Sequence, residues 1–444
     1  YLELTSRLEV LYTVFNTMFK RFPLFYGWVI VGISITVMIL VYGIRQSFSI
    51  FFPSILDEFG WSRGSTALML SLSLLFYGLT APFAGSLGDR WKPRWVVPIG
   101  ITFLGLTTAG CAWASQLWHF YLLFGILMPI GMALSGWPIM APTLANWFAK
   151  RRGLAMGLGQ IGGGLSFTYG LFAEFVISQL GWRYAYLVLA GILVAALLPL
   201  FLFFFYYRPE DKGMKAFGAT EISVRSELKQ KPANLTHPAP HDWTLKNAMK
   251  TPQLWLLMTS NSLYWGMAFY MVLAHQVKFA QDVGYSSIFA ASIFALFGVF
   301  AVIGQISAAI SDWIGREKTV TLAVIISIAA LAALVSVKDT SQSWLLYGYA
   351  ICFGYGGGLY SPSLVAGAAD IFYGRNFGAI AGLLVTGVGI GGAIGPWLGG
   401  YIYDISGSYL RAFILSMVFL GLSGIIFWMA APRKAAELRA RALR

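Results

Sequence analysis

Gly85-Ser-Leu-Gly-Asp89-Arg-Trp-Lys-Pro-Arg94 returns as Ala308-Ala-Ile-Ser-Asp312-Trp-Ile-Gly-Arg316, and the two aspartates stand 223 residues apart in a chain of 444. An apolar run of helical length leads into each aspartate, and a short basic turn follows it. Other echoes keep nearly the same offset: Pro138 with Pro362, Trp147-Phe148 with Ile371-Phe372, Met156-Gly157 with Ala381-Gly382, and Tyr184 with Tyr409. Doubling on this scale in an apolar chain implies two related halves with a site between them, the plan of a membrane transporter.

Composition agrees. Hydrophobic residues make up 58% of the chain and charged ones 11%, more apolar surface than a soluble fold of this length can hide. Cys111 and Cys352 both lie inside apolar runs, so neither a disulfide framework nor a zinc site is expected. Twelve apolar spans can be drawn, at 25–52, 65–88, 95–116, 119–147, 154–180, 183–207, 251–280, 286–310, 318–337, 343–371, 377–403 and 409–431. Most hold the ~20 residues that a helix needs to cross a bilayer. The expected fold is therefore an all-α membrane protein, with twelve transmembrane helices in two pseudo-symmetric six-helix bundles at 25–207 and 251–431. Residues 208–250, rich in Pro, Lys and Glu and without apolar periodicity, read as the linker between the bundles. Residues 432–444 form a tail.

The distribution of the 31 Lys and Arg sets the expected orientation. The termini and the even-numbered loops hold 25 of them, and the odd-numbered loops hold Arg63, Arg183, Lys278, Lys338 and Arg411. This asymmetry predicts that both termini are cytoplasmic, in a plasma (cell inner) membrane. The net charge of +13 is thereby explained as topology, and a nucleic-acid partner is not expected. Residues 1–24 place Leu4, Leu8, Leu11, Tyr12, Phe15, Phe19 and Phe22 at helical spacing, as an amphipathic segment on the inner membrane face would. They show no small-residue cleavage site, so a signal peptide is not expected.

The acidic-basic turns, with Asp89 and Arg90 in the first and Asp312 and Arg316 in the second, can act as a charge-dipole clamp between helix ends, which would make them a gate. With these residues in view, the chain resembles the major facilitator superfamily, whose signature is Gly-x-Leu-x-Asp-Arg-x-Gly-Arg. The first copy has Lys92 in place of the second glycine; the second keeps Gly315-Arg316 but has Trp313 in place of the first arginine. Asn146-Trp-Phe-Ala-Lys-Arg-Arg-Gly-Leu-Ala-Met-Gly157, with Gly27-Trp28 at the entrance of the first helix, resembles the monocarboxylate porter family. Small residues at 157, 159, 162, 163 and 164 allow close helix approach. The same run contains a formal Gly-x-Gly-x-x-Gly dinucleotide fingerprint, but no strand precedes it, so no cofactor follows from it. Gly391-Gly-Ala-Ile-Gly395-Pro396-Trp-Leu-Gly399-Gly400 matches a pattern of drug antiporters, but in helix eleven instead of helix five, and it reads as a kinked, tightly packed helix.

Arg45 is the one basic residue left inside a span. An arginine there costs at least ~2.5–3.5 kcal/mol unless it meets water, a partner or a ligand. It shares a helical stripe with Tyr42, Gln46 and Ser49 on the outer half of helix one, and its guanidinium fork suits a carboxylate. Snorkelling, or a structural pair with Glu174, are the alternative readings. The resemblance implies a first-helix lysine at the position of Gln46 and an eighth-helix Asp and Arg at Ala301 and Gln305, so those charges are absent here. Asn261, Tyr264 and His275 form a stripe on helix seven, and Trp137, Tyr355 and Tyr360 lie beside glycines and prolines in helices four and ten, where broken helices border transporter sites. His275, whose type titrates near neutrality, and Glu174, a carboxyl that favours its neutral form when desolvated, are the candidates for proton coupling. The expectation is secondary transport of a small organic anion, most simply a monocarboxylate, by a monomer working through alternating access, with protons as a possible coupled ion. A drug or metabolite exporter is the alternative. No enzyme constellation is visible.

Overall fold

The computed structural model describes residues 25–90, 93–218, 243–372 and 377–434. The amphipathic segment 1–24, the tail beyond 434 and the middle of the linker lie outside the described residues. Helices dominate: α1 (Gly27–Phe59), α2 (Arg63–Arg90), α3 (Pro93–Trp113), α4 (Leu117–Trp147), α5 (Leu154–Leu180), α6 (Trp182–Phe204), α7 (252–283), α8 (Ser287–Ile314), α9 (Arg316–Val335), α10 (Ser343–Ile371), α11 (Phe377–Ser406) and α12 (Leu410–Ala430). Ten of these are both long and apolar enough to cross a membrane; α9, the shortest of them at 20 residues, spans about 30 Å at 1.5 Å per residue. The remaining two, α7 and α10, are as long. They are less apolar because they carry buried polar residues such as Ser260, His275, Gln276 and Ser363 into the protein interior. This is the two-bundle, all-helical membrane fold that the doubled sequence predicts.

Three helix pairs join the bundles: α2 with α11 and α5 with α8, both antiparallel, and α1 with α7, which run parallel. Glycine makes the approach possible. A Cβ at Gly400 would stand 2.6 Å from the backbone of Arg63 and Gly64, and one at Gly164 would stand 2.6 Å from Val302. Chains this close leave no room for a side chain, as at small-residue helix crossings generally.

The contact is not uniform along these helices. The face that carries Phe25, the 208–218 turn and Pro432 is called the linker face here, and its opposite the far face. Gly164 and Gly389 each touch the other bundle. Gly157 and Gly382 lie seven residues, or two turns, nearer the linker face on the same helix sides, and a Cβ on either would meet nothing within 4 Å. The bundles therefore meet towards the far face and part towards the linker face.

The structure also revises the first span. It was expected over 25–52 but continues through Pro53 to Phe59, interrupted only by a turn at Ser47. At that turn the Ser47 hydroxyl donates to the Gly43 carbonyl at 2.7 Å. Arg45 consequently sits near the middle of the helix, not in its outer half.

On the linker face the start of the linker is clasped to the first bundle. Trp147 Nε1 donates to the Tyr206 carbonyl (2.8 Å), the Tyr26 hydroxyl donates to the Phe204 carbonyl (2.8 Å), and Phe148 pairs with Phe217 through a single β-bridge. Lys212 lies 4.1 Å from the centre of the Tyr26 ring, and burial against these rings lowers its pKa below the usual lysine range.

Candidate functional site

Arg45 is 3% exposed, and its Nε and Nη1 have no hydrogen-bond partner. Two aromatic rings hold it. The guanidinium carbon lies 5.3 Å from the ring centre of Tyr42, one turn earlier on α1, and 4.9 Å from that of Tyr77 on α2. The two phenols share a hydrogen bond. Behind Tyr42, α4 breaks: Gly136 takes φ −95° and ψ −147°, and a new helix starts at Trp137-Pro138. A Cβ on Gly136 would come within 3.3 Å of the Tyr42 ring. From the other bundle, Tyr270 of α7 lies near enough to both phenols to interact with them electrostatically.

The cluster thus draws on α1, α2, α4 and α7, at the middle of the fold and between the bundles. Among the described residues no carboxylate pairs with Arg45. Glu174, the candidate structural partner, is buried on α5 near Ser287 at the start of α8. A guanidinium out of water with Nε and Nη1 both unpartnered has the chemistry to receive an anion, because leaving such a group unpaired costs free energy that a carboxylate can recover through charge-assisted bonds.

Other sequence candidates divide. Gln46 is buried beside Arg45 on α1, and Trp137 is half-buried at the α4 break. Ser49, from the same stripe, donates to the Leu273 carbonyl and ties α1 to α7. Tyr264, Tyr360 and Asn261 are not brought to Arg45. The two tyrosine rings stack at 3.6 Å inside the second bundle, with the Tyr264 hydroxyl on Ser327 of α9 and the Tyr360 hydroxyl on Ser260. Asn261 donates to the Leu384 carbonyl of α11 at 3.0 Å. Gln305 and Tyr355 are half-buried on α8 and α10, where those helices come so close that a Cβ on Gly304 would fall 2.3 Å from the Tyr355 carbonyl. Sequence reasoning missed Tyr77 and Tyr270. The only sequence signal for Tyr77 is its i, i+4 spacing from Ser73, whose buried hydroxyl also lacks a partner.

His275 is fully buried within the second bundle. Its Nε2 is 2.9 Å from the Pro396 carbonyl, which can only accept, so Nε2 donates and Nδ1 accepts from the Tyr409 hydroxyl at 3.1 Å. One tautomer satisfies both nitrogens.

Both gate candidates fall at the linker face. Asp89 and Arg90 end α2, and their side chains lie outside the described residues. Arg316 holds Asp312 at 2.5 Å and Asp370 at 2.9 Å, and also donates to Ser311, which pins the α8–α9 turn to α10 within one bundle.

The far face carries a denser charge cluster that the sequence reading did not pick out. Arg63 of α2 meets Asp282 of α7 at 2.5 Å and lies 3.6 Å over the ring of Tyr403. Lys278 bridges Asp57 (3.4 Å) and Asp282 (3.5 Å). The Asp404 carboxylate of α11 accepts the backbone N–H groups of Arg63 (2.9 Å) and Gly64 (2.8 Å). It therefore caps α2 from the opposite bundle, satisfying two donors that a helix start leaves orphaned. Ser71 accepts from the backbone N–H of Trp397 at 3.1 Å. Each of these links except Lys278–Asp282 crosses between bundles, and together they shut the far face over Arg45.

Comparison with known proteins agrees with this fold. The family model described as Major Facilitator Superfamily matches residues 34–363 and 332–443. Human Monocarboxylate transporter 11 is 27% identical over 428 residues, covering 92% of this chain and 83% of its own. Rat Monocarboxylate transporter 13 is 24% identical, over 89% of this chain and 86% of its own. Among solved structures, a bacterial homolog of the human lysosomal transporter Spinster, in an inward-facing and unoccupied conformation, superposes with a TM-score of 0.70 at 16% identity, over 93% of this chain and 98% of its own.

Proposed function

The chain belongs to the major facilitator superfamily, and from that premise, an integral membrane transporter similar to the monocarboxylate transporters, we propose that it carries a small organic anion, most simply a monocarboxylate, by alternating access. The observation that carries this reading is Arg45, buried at mid-helix between the bundles with Nε and Nη1 unpartnered. The fork of the guanidinium takes a carboxylate in two parallel bonds, and the flanking Tyr42 and Tyr77 rings keep it oriented. Arg45 thus does in α1 the work for which Gln305 offers no charge in α8. The linker face is assigned to the cytoplasm on the 25-to-5 basic asymmetry, in the plasma membrane. The structure is then the inward-open state. The proton carrier is assigned to Glu174, at the bundle interface beside Ser287, ahead of His275, whose two nitrogens are both engaged.

The test is ligand-induced thermal stabilisation of the purified protein against a panel of organic acids. Losing a charge-assisted hydrogen bond costs about 1.5–3 kcal/mol, so Arg45→Gln is expected to weaken binding roughly ten- to a hundred-fold. Arg45→Lys should recover part of it, because ammonium lacks the planar fork. A folded Arg45→Gln protein that binds organic acids as the wild type does would place the anion site elsewhere.

A further inference from the structure

Outside the central site, the membrane-facing surface carries a groove of about 450 Å³ between α9 and α12, lined by Thr321, Val324, Gly421, Gly424, Ile425 and Trp428, with Met429 at its edge. That volume falls within the ~300–1,000 Å³ of ordinary ligand clefts. The groove exists because α12 has glycine where a surface helix in lipid would carry a side chain. A Cβ on Gly421 would meet nothing within 4 Å, and one on Gly424 would touch Val324 at 3.3 Å.

Its end at the linker face is polar and built. Trp428 Nε1 donates to Thr321 Oγ1 at 2.8 Å, and the Arg433 guanidinium lies 4.8 Å over the Trp428 ring. The buried Glu317 carboxylate accepts from Arg433, from the backbone N at 2.8 Å and from Nη1 at 3.3 Å. Lys318 stands one turn before Thr321, and Lys434 follows Arg433. Both are exposed, and among the described residues neither has an ion pair. Three cations against one carboxylate leave this end of the groove positive.

We propose that the α9–α12 groove binds an anionic phospholipid, with an acyl chain along Gly421, Gly424 and Ile425 and the phosphate beside Lys318 and Lys434. The apolar floor faces the bilayer, where the available occupant is a lipid chain, and the charge at its end selects the headgroup. Each cation near an anionic lipid head is worth about a fivefold gain in binding. Two unpaired lysines therefore predict roughly a 25-fold preference over a zwitterionic head.

Native mass spectrometry of the full chain in detergent, titrated with phosphatidylglycerol and with phosphatidylcholine of the same acyl chains, reads this directly. The wild type should retain phosphatidylglycerol in preference to phosphatidylcholine. Gly421→Leu, which fills open space, should lower phosphatidylglycerol binding at least fivefold without lowering the unfolding temperature. The surface pair Lys318→Gln with Lys434→Gln, which leaves the packing intact, should bring phosphatidylglycerol down to the phosphatidylcholine level. Equal retention of the two lipids by the wild type overturns the proposal. So does full phosphatidylglycerol preference in the double-lysine variant, whether or not Gly421→Leu folds.

Discussion

Asp282→Asn is the substitution that most directly tests how the far face is held shut. The asparagine keeps the shape of the side chain and removes its charge. Two cations share that carboxylate, Arg63 at 2.5 Å from the opposite bundle and Lys278 at 3.5 Å from the same helix. The Arg63 side chain is only 14% exposed and that of Asp282 29%, so water screens the pair less than it does a surface ion pair. Replacing a charge-assisted hydrogen bond by a neutral one, with Arg63 left partly buried, costs the closed arrangement about 1–2 kcal/mol. When the bundles separate at this face, Arg63 and Asp282 both reach water, so the cost falls on one conformation. The population ratio should shift roughly five- to thirty-fold towards the form open at the far face. Spin labels at Gln179→Cys on α5 and Lys338→Cys beyond α9, in a chain lacking Cys111 and Cys352, report the far-face separation by pulsed electron resonance. A longer-distance component should grow in Asp282→Asn. Arg63→Gln should shift the distances in the same direction and at least as far, because it also loses the Tyr403 ring contact, and adding Asp282→Asn to it should change little more, because the bond they share is already broken. Distance distributions identical to the wild type in both single variants would show that the ion pair carries no conformational energy.

Three further outcomes are expected. Cysteines at Lys215 and Ser408 should label with membrane-impermeant maleimide from opposite sides of the membrane, Lys215→Cys only after the inside is exposed; labelling of both from outside defeats the assigned orientation. Glu174→Gln should abolish substrate-driven proton movement in proteoliposomes and spare substrate binding, whereas intact proton movement removes Glu174 from the pathway. Arg316→Gln breaks both the Asp312 and the Asp370 contacts, so transport should slow severalfold with ligand affinity unchanged; a loss confined to affinity would contradict a gating role.

The amino-acid sequence by itself determined the bundles. A bilayer forces every crossing segment to be helical, apolar and about 20 residues long, so the spans and their doubling can be read from hydropathy without any knowledge of contacts. The cost of a charge in lipid likewise singled out Arg45 from sequence. Periodicity, however, says which residues share a helix face and not what that face meets. Tyr264 lies on the predicted stripe of α7, yet its ring stacks on Tyr360 inside the second bundle, while the unremarked Tyr77 and Tyr270 lie near the Arg45 site. The aromatic pair Trp147-Phe148 and the Gly27-Trp28 entrance, read as two separate marks of one family, meet through Phe25 and Trp28, with Phe148 packing edge-on to both at 5.6 and 5.1 Å. Which face is shut was the decision of the tertiary structure alone. It rests on Arg63–Asp282 and Arg63–Asp404, pairs 219 and 341 residues apart, whose partners lie on different bundles and meet only when those bundles close together. A local pattern of charges carries no record of such a meeting, because the same residues face water when the bundles part.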